Sequence, residues 1–425
     1  VLSRRVAPSC AALEHIPMSA FGSAGSSRAQ GLRAFLAAVR ADDELSRALR
    51  HASVLPAEPA GRVALDTLPL ASQEVARARG ISALYPHQAR ALAELRAGRD
   101  VVLATPTASG KSLVYALPAL EAALADPDSH ALFLFPLKAL EQDQAKKLAA
   151  DAETLGLSGE RTVAIYDGDT KPGLRTKIRN DPPNVIVTTP DMLHLGLLPH
   201  HMSWERFFRG LSLVVVDELH SYRGIFGSHV AQVLRRLDRV CAFHGARPRF
   251  VCASATVANP GELAQLVTGR TPTVVHAEGA PRTKRELLLF NPVGTSPYSA
   301  AARLFRHALQ SGLRTIAFTK ARRVTELMHQ WIAAAEPELA PRISSYRAGF
   351  LPEERREIER RLFTGELAGV ISTSALELGI DVGGLDVCIL VGYPGSQIAT
   401  WQRAGRVGRA GDAAIALVAQ PDALD

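Results

Sequence analysis

The chain has 425 residues, 47% hydrophobic and 21% charged, enough for two or three domains with cores of their own. No apolar run approaches the roughly 18 to 20 residues that cross a bilayer, so no membrane association is expected. Lys and Arg outnumber Asp and Glu by 49 to 42, and the net +7 favours a polyanionic partner over an acidic protein surface.

The first 60 residues are rich in Ala, Arg and Ser, carry the polar stretch FGSAGSSRAQG and show no apolar core of a secretory signal. The chain opens on Val1, which makes Met18 a candidate start. Cys10, Cys241, Cys252 and Cys388 form neither a zinc spacing nor a disulfide framework, which predicts reduced thiols and a cytoplasmic location.

From residue 100 short β-branched runs alternate with amphipathic ones. DVVLA precedes KSLVYALPALEAALA, ALFLF precedes KALEQDQAKKLAAD, and NVIVTT, LSLVVVDE and RFVCASAT follow, each before helical text. This alternation predicts an α/β fold with a parallel sheet covered on both faces. The stretch GAPRTKRELLLFNPVGTSPYS breaks the rhythm, and a second series begins with TIAFT, ISSY, GVIST, LDVCILVG and AIALVA. The expected division is an N-terminal accessory segment 1–79, a first lobe 80–278, a linker 279–297 and a second lobe 298–425. His194, His200 and His201 do not have the spacing of a metal-binding helix, and no metal is expected on them.

ATPTASGKS, residues 104 to 112, lies between a strand and a strong helix, the setting of a phosphate-binding loop. Thr105 stands where that loop begins with glycine in the usual pattern. The backbone of Thr107, Ala108, Ser109 and Gly110 is expected to wrap the β-phosphate of ATP, with Gly110 at the closest approach. Lys111 would reach the β- and γ-phosphates, and Ser112 would hold Mg²⁺. The strand LVVVDELH delivers Asp217 as a second, water-mediated Mg²⁺ ligand and Glu218 as the base that activates water.

Gln88, in LYPHQARAL, can pair with an adenine edge through its amide. In WQRAGRVGRAG, Gln402, Arg406 and Arg409 recur at helical spacing beside glycines. Alone the string reads as a basic nucleic-acid patch; opposite a phosphate loop it reads as catalytic arginine fingers.

In chain order LYPHQ, ATPTASGKS, FPLKAL, TTPDML, DELH, SAT, STSALELGID and QRAGRVGR resemble the Q motif and motifs I, Ia, Ib, II, III, V and VI of superfamily 2 helicases. The resemblance covers about residues 80 to 425 and implies two tandem RecA-like domains with ATP between them. TPTASGKS, YDGDT, TTPDMLH and DELHSYRGIFGSHV are similar to the bacterial mitomycin repair factor A (YprA-like) group and its Hrq-type RecQ-like relatives in fungi. That likeness implies 3′ to 5′ movement on single-stranded DNA, action on tailed duplex DNA and a role in DNA repair. An RNA helicase and a nucleotide-dependent remodelling module that never unwinds are the alternatives.

Lys138, Thr189, Asp191 and Thr373 fall at strand ends or helix starts on the phosphate-loop side, where open α/β sheets bind ligands, and are candidates to grip a sugar-phosphate backbone. YRAGF resembles the second lobe's strand-gripping motif, with Arg347 for phosphate. SAT, residues 254 to 256, would relay the phosphate state by analogy with the family. Relatives continue past the last motif into a domain with a four-cysteine metal-binding cluster, so either this sequence is a fragment or the extra domain is missing, and no zinc is expected.

Overall fold

A computed structural model describes residues 25–106, 109–377, 384–409 and 411–422. The strands are β1 (Leu49–Leu55), β2 (Val63–Ala64), β3 (Ala83–Leu84), β4 (Val101–Ala104), β5 (His130–Leu134), β6 (Val163–Ile165), β7 (Val185–Thr188), β8 (Leu211–Val216), β9 (Arg249–Ser254) and β10 (Thr273–His276). They continue with β11 (Arg285–Phe290), β12 (Thr315–Phe318), β13 (Ile343–Tyr346), β14 (Gly369–Ser372), β15 (Val387–Val391) and β16 (Ala413–Val418).

Seven strands of lobe one run β10-β4-β9-β8-β5-β7-β6, all neighbours parallel. Successive side chains on a strand point to opposite faces. Accordingly Val101 and Leu103 of β4 enter one core while Val102 enters the other, which is why these strands read as unbroken apolar runs. Lobe two has the same logic in the order β1-β11-β16-β15-β12-β14-β13, with Ala317 of β12 on one face and Ile316 and Phe318 on the other. The expected pair of RecA-like α/β lobes is therefore present.

The ends of the lobes differ from the expected division. The helices Gly25–Ala41 and Asp43–Ala48 pack Phe35, Val39 and Leu45 into the core of lobe two, and β1 pairs antiparallel with β11 at that sheet's edge. Asp42 fixes this junction: it caps the second helix through the N–H groups of Glu44 and Leu45, and it takes the side chains of His307 (3.0 Å) and Arg303 (3.3 Å). The described part of the N-terminal segment up to Leu55 thus belongs to lobe two. The expected linker 279–297 likewise holds β11, because RELLLF forms a strand despite its basic, Gly- and Pro-containing surroundings.

A consequence is that the chain crosses between the lobes twice, outward over 56–62 and back over 277–284. The two crossings pair with each other: Glu58 and Arg282 exchange both backbone hydrogen bonds (2.8 and 3.0 Å), and Gly61 N–H donates to Gly279 O at 2.9 Å. Among the described residues no helix is long and apolar enough to cross a membrane.

Candidate nucleotide site between the lobes

β4 leads directly into the phosphate loop. Thr105 is fully buried; its N–H donates to Ser254 O (3.2 Å), and its hydroxyl meets that of Ser109 at 2.6 Å. Threonine in place of the first glycine therefore closes the loop on itself by a side-chain hydrogen bond. Gly110 sits at φ 73°, in the left-handed region, and caps the helix Lys111–Ala125. The backbone angle demands glycine, and a Cβ there would also displace the Gln88 amide from the loop. Thr107 and Ala108 lie outside the described residues.

Lys111 Nζ donates to the carbonyls of Ser254 (3.1 Å) and Thr105 (3.3 Å), and Ser112 is part-exposed in the first turn of the helix. Unsatisfied N–H groups and the helix dipole make this terminus a place for an anion. Gln88, expected to face adenine, is buried against the loop. Its Oε1 accepts from Tyr85 N–H (2.9 Å), and its Nε2 donates to Gly110 O (3.0 Å), leaving one N–H and one lone pair for a base.

β8 ends at Val216 and presents Asp217, whose Oδ1 accepts from Glu218 N–H (2.8 Å) and Oδ2 from the Tyr115 hydroxyl (3.0 Å). Burial, then the charge of Glu218, push its carboxyl up from the usual range, with Lys111 opposing. Burial and the charge of Asp217 hold the Tyr115 phenol well above its ordinary value, so it donates. Glu218 adopts φ 48°, the sole non-glycine positive φ among the described residues, a strained backbone of the kind that gathers at functional sites.

His220 had no role assigned from the sequence, although the fourth letter of DELH is its signal. Its Nδ1 accepts from Ala255 N–H at 3.1 Å, and its Nε2 lies 2.6 Å from the side-chain amide of Gln402 in lobe two. A backbone N–H can only donate, so Nδ1 is bare and Nε2 carries the proton. The Gln402 amide must then turn its oxygen to the ring, an exchange of O and N that heavy-atom geometry does not distinguish. Burial first, and the positive charge of Lys111 next, lower His220 to about 3, so it is neutral. Its 3.6 Å approach to Glu218 is accordingly no ion pair.

One neutral imidazole thus joins the acid strand, the SAT strand end and the arginine-bearing segment of the other lobe. The hydroxyl of Ser254, in SAT, is buried with no hydrogen-bond partner among the described residues.

Helical spacing of Gln402, Arg406 and Arg409 is not what the structure has. The helix Gln397–Ala404 stops at Gly405, Val407 forms an isolated bridge to Leu385, and Gly408 turns at φ 79° with its carbonyl on the Thr283 hydroxyl. Only Gln402 lies on the helix. Arg406 is buried and donates to the Glu377 carbonyl (2.6 Å), whereas Arg409 is part-exposed beyond the turn. Arg403, also unassigned from sequence, pairs with the Glu377 carboxylate at 2.7 Å over the Phe318 ring. Residues 378–383 of STSALELGID lie outside the described residues.

The backbone-gripping candidates follow the carboxyl ends of parallel strands: Lys138 after β5, Thr189 and Asp191 after β7, Arg347 after β13 and Thr373 after β14. Two of them are engaged by acids. Lys138 Nζ is 2.8 Å from Asp169 and 4.0 Å from Asp167 of YDGDT, and Arg347 Nε is 2.7 Å from Glu326. Thr189 caps the turn at Pro190–Met192, leaving Asp191 exposed, and Thr373 caps Ser374–Leu376.

The DEAD/DEAH box helicase model matches residues 85–263, and the helicase conserved C-terminal domain model matches 299–411. The chain is 43% identical over 358 residues to an uncharacterized ATP-dependent helicase, YprA, of Bacillus subtilis, covering 82% of this chain and 47% of YprA. It is 39% identical over 354 residues to the ATP-dependent helicase HRQ1 of Saccharomyces cerevisiae, covering 80% and 33%. A crystal structure of the DUF1998 helicase MrfA bound to DNA and AMPPNP superposes with a TM-score of 0.86 at 39% identity, over 91% of this chain and 55% of MrfA. The chain therefore spans about half or less of the length of these relatives. With both helicase models matched in order on two RecA-like lobes, the chain belongs to the superfamily 2 DEAD/DEAH box helicases, in the group that holds YprA, Hrq1 and MrfA.

Proposed function

We propose that this chain is the motor of an ATP-dependent DNA helicase, hydrolysing ATP with Mg²⁺ between its lobes and moving 3′ to 5′ along single-stranded DNA. The carrying observation is the hydrogen-bonded line Ala255–His220–Gln402, which ties lobe two to the phosphate-loop edge of lobe one. The residues present fit the nucleotide and its metal. Gly110 leaves the loop bare of a side chain at the helix terminus, and Ser112 and Asp217 offer the oxygen donors that Mg²⁺ prefers. Bound Mg²⁺ would supply charge that draws Asp217 back to its ionised form and neutralises the phosphates.

Lys111 now donates to two neutral carbonyls, and an anionic phosphate oxygen is the stronger partner. Glu218, beside Asp217 and part-exposed, is placed to take a proton from the attacking water. Arg406 and Arg409 are assigned to transition-state charge, and Gln88 to the loop and the adenine edge together. Lys138, Thr189, Asp191, Arg347 and Thr373 are assigned to the strand's phosphates and sugars. Tailed duplex DNA as substrate and DNA repair as the setting rest on the likeness to MrfA and Hrq1, and the cytoplasm as the place rests on the buried free thiols of Cys241, Cys252 and Cys388. DNA is preferred over RNA because MrfA was solved with DNA at 39% identity, whereas the likeness to the RNA-bound DEAD-box helicase Mss116 is 16% identical and concerns the fold.

The test is ATP turnover with single-stranded DNA and RNA, on the natural chain and two variants. Lys111→Ala should abolish hydrolysis, and Glu218→Gln should keep ATP binding while stopping turnover. A folded Lys111→Ala protein that hydrolyses ATP normally, or equal activation by RNA, would overturn the reading.

A further inference from the structure

The Q-motif helix Pro86–Arg96 touches both the phosphate loop and the paired crossings between the lobes. Its first residue, Pro86, is seated on Gly61 of the outward crossing and Gly279 of the returning one. A Cβ at Gly279 would stand 2.6 Å from Pro86 Cδ, and one at Gly61 would stand 2.9 Å from Pro86 Cγ. Those distances are below any real Cβ contact, so the joint is closed to every residue but glycine. Gly279 also holds φ 68°.

The next residue, His87, is fully buried. Its Nδ1 lies 2.8 Å from the carbonyl of Glu278 in the returning crossing, and its Nε2 lies 3.0 Å from the carbonyl of Ser109 in the phosphate loop. A neutral imidazole has one N–H, so it can donate to only one of the two carbonyls at a time.

We propose that His87 is a positioning residue that links the phosphate loop to a two-strand hinge, so that occupancy of the loop sets how readily the lobes close. The inference rests on the proposed nucleotide site. It goes beyond it by assigning a residue that contacts no substrate and a hinge made of two paired crossings. The hinge acts as one body because Glu58 and Arg282 bind each other through both backbone hydrogen bonds and a 2.9 Å ion pair. Any turn of the Ser109 peptide on binding phosphate changes what Nε2 faces. The ring proton is then free to serve Glu278, which tightens the returning crossing on Pro86.

The experiment measures energy transfer between dyes at Leu174→Cys in lobe one and Phe363→Cys in lobe two, both exposed, with Cys10→Ser to remove a competing thiol. AMPPNP binding is measured on the same samples with single-stranded DNA present. His87→Ala should still bind AMPPNP, weakened by no more than the lost coupling, while the closed fraction reached at saturation falls about tenfold, the size of an ordinary coupling between sites. His87→Asn keeps an amide near the Nδ1 position and His87→Gln one near the Nε2 position. Each serves one carbonyl: His87→Asn, holding Glu278 whatever the loop contains, should close with or without AMPPNP, whereas His87→Gln, tied to Ser109, should fail to close. Gly279→Ala, which strikes the same joint from the hinge side, should reproduce the loss. Full closure by His87→Gln, or a His87→Asn whose closure still needs AMPPNP, would overturn the link. A parent protein that neither binds AMPPNP nor closes would instead overturn the nucleotide site itself.

Discussion

Gln402→Ala removes the one described contact of a lobe-two side chain with the ring of His220, and its effect can be worked from the geometry. The deletion strips the partner from a buried, neutral Nε2–H, and an unsatisfied buried group of that kind costs about 1–3 kcal/mol. At about 1.4 kcal/mol per factor of ten, that is roughly a 5- to 150-fold loss in the population of the joined lobes. His220→Ala removes the same contact and also the acceptor of Ala255 N–H, so it should cost more.

The informative protein is the double variant. Once His220 is gone, truncating Gln402 has little left to remove and should cost less than about 0.5 kcal/mol, giving a coupling energy of roughly 1–3 kcal/mol. The assay is DNA-stimulated ATP turnover at saturating ATP, with circular dichroism melting of all four proteins to separate folding from coupling. Gln402→Ala lowering turnover by the same factor in both backgrounds would refute the claim that these two residues act through each other.

Two further outcomes follow from ion pairs. The Lys138–Asp169 pair has side chains 47% and 76% exposed, so it is worth about 0–1 kcal/mol. Asp169→Asn should therefore release Lys138 and tighten single-stranded DNA binding by up to about fivefold, read by fluorescence anisotropy, with a steeper salt dependence. Unchanged affinity and salt slope would remove Lys138 from the DNA face. At Asp42 burial opposes ionisation, but the hydrogen bond from His307, the Leu45 N–H and Arg303 together hold its carboxyl below the usual range. A depressed carboxylate stabilises above its unfolded value of about 3.9 and loses that contribution as pH falls through the lower folded value. Asp42→Asn should thus loosen the helices over 25–48 by about 1–2 kcal/mol at neutral pH, seen as faster hydrogen exchange. The difference from the parent should begin to shrink as pH falls below about 4 and vanish only below the lower folded value, and equal protection at pH 7 would count against the clasp.

What could be read from the sequence was what lies close together along it. The loop, Lys111, Ser112, Asp217 and Glu218 were legible because each follows a strand whose apolar run marks its end. The strands themselves were legible because both of their faces are buried, which leaves no polar alternation to confuse. Pairings between distant segments were not. The sequence LRHASVL does not state that it will lie beside RELLLF, so residues 49–55 read as accessory and 285–290 as linker.

Termination misled as well. The helix ends at Ala404 with Gly405 as its cap, before Arg406 and Arg409, although their spacing continues the helical period. His220 and Gln88 show a third limit. Residue type tells what a side chain can bond, but their partners, Ala255 and Gly110, are set by the fold.

The central claim is ATP-driven movement toward the 5′ end of single-stranded DNA, and displacement of streptavidin from end-biotinylated oligonucleotides tests it without requiring a duplex to be separated. The account predicts ATP-dependent release of streptavidin from the 5′ end, little release from the 3′ end, and none in either case with Lys111→Ala. Release from the 3′ end, or release that persists in Lys111→Ala, would contradict it.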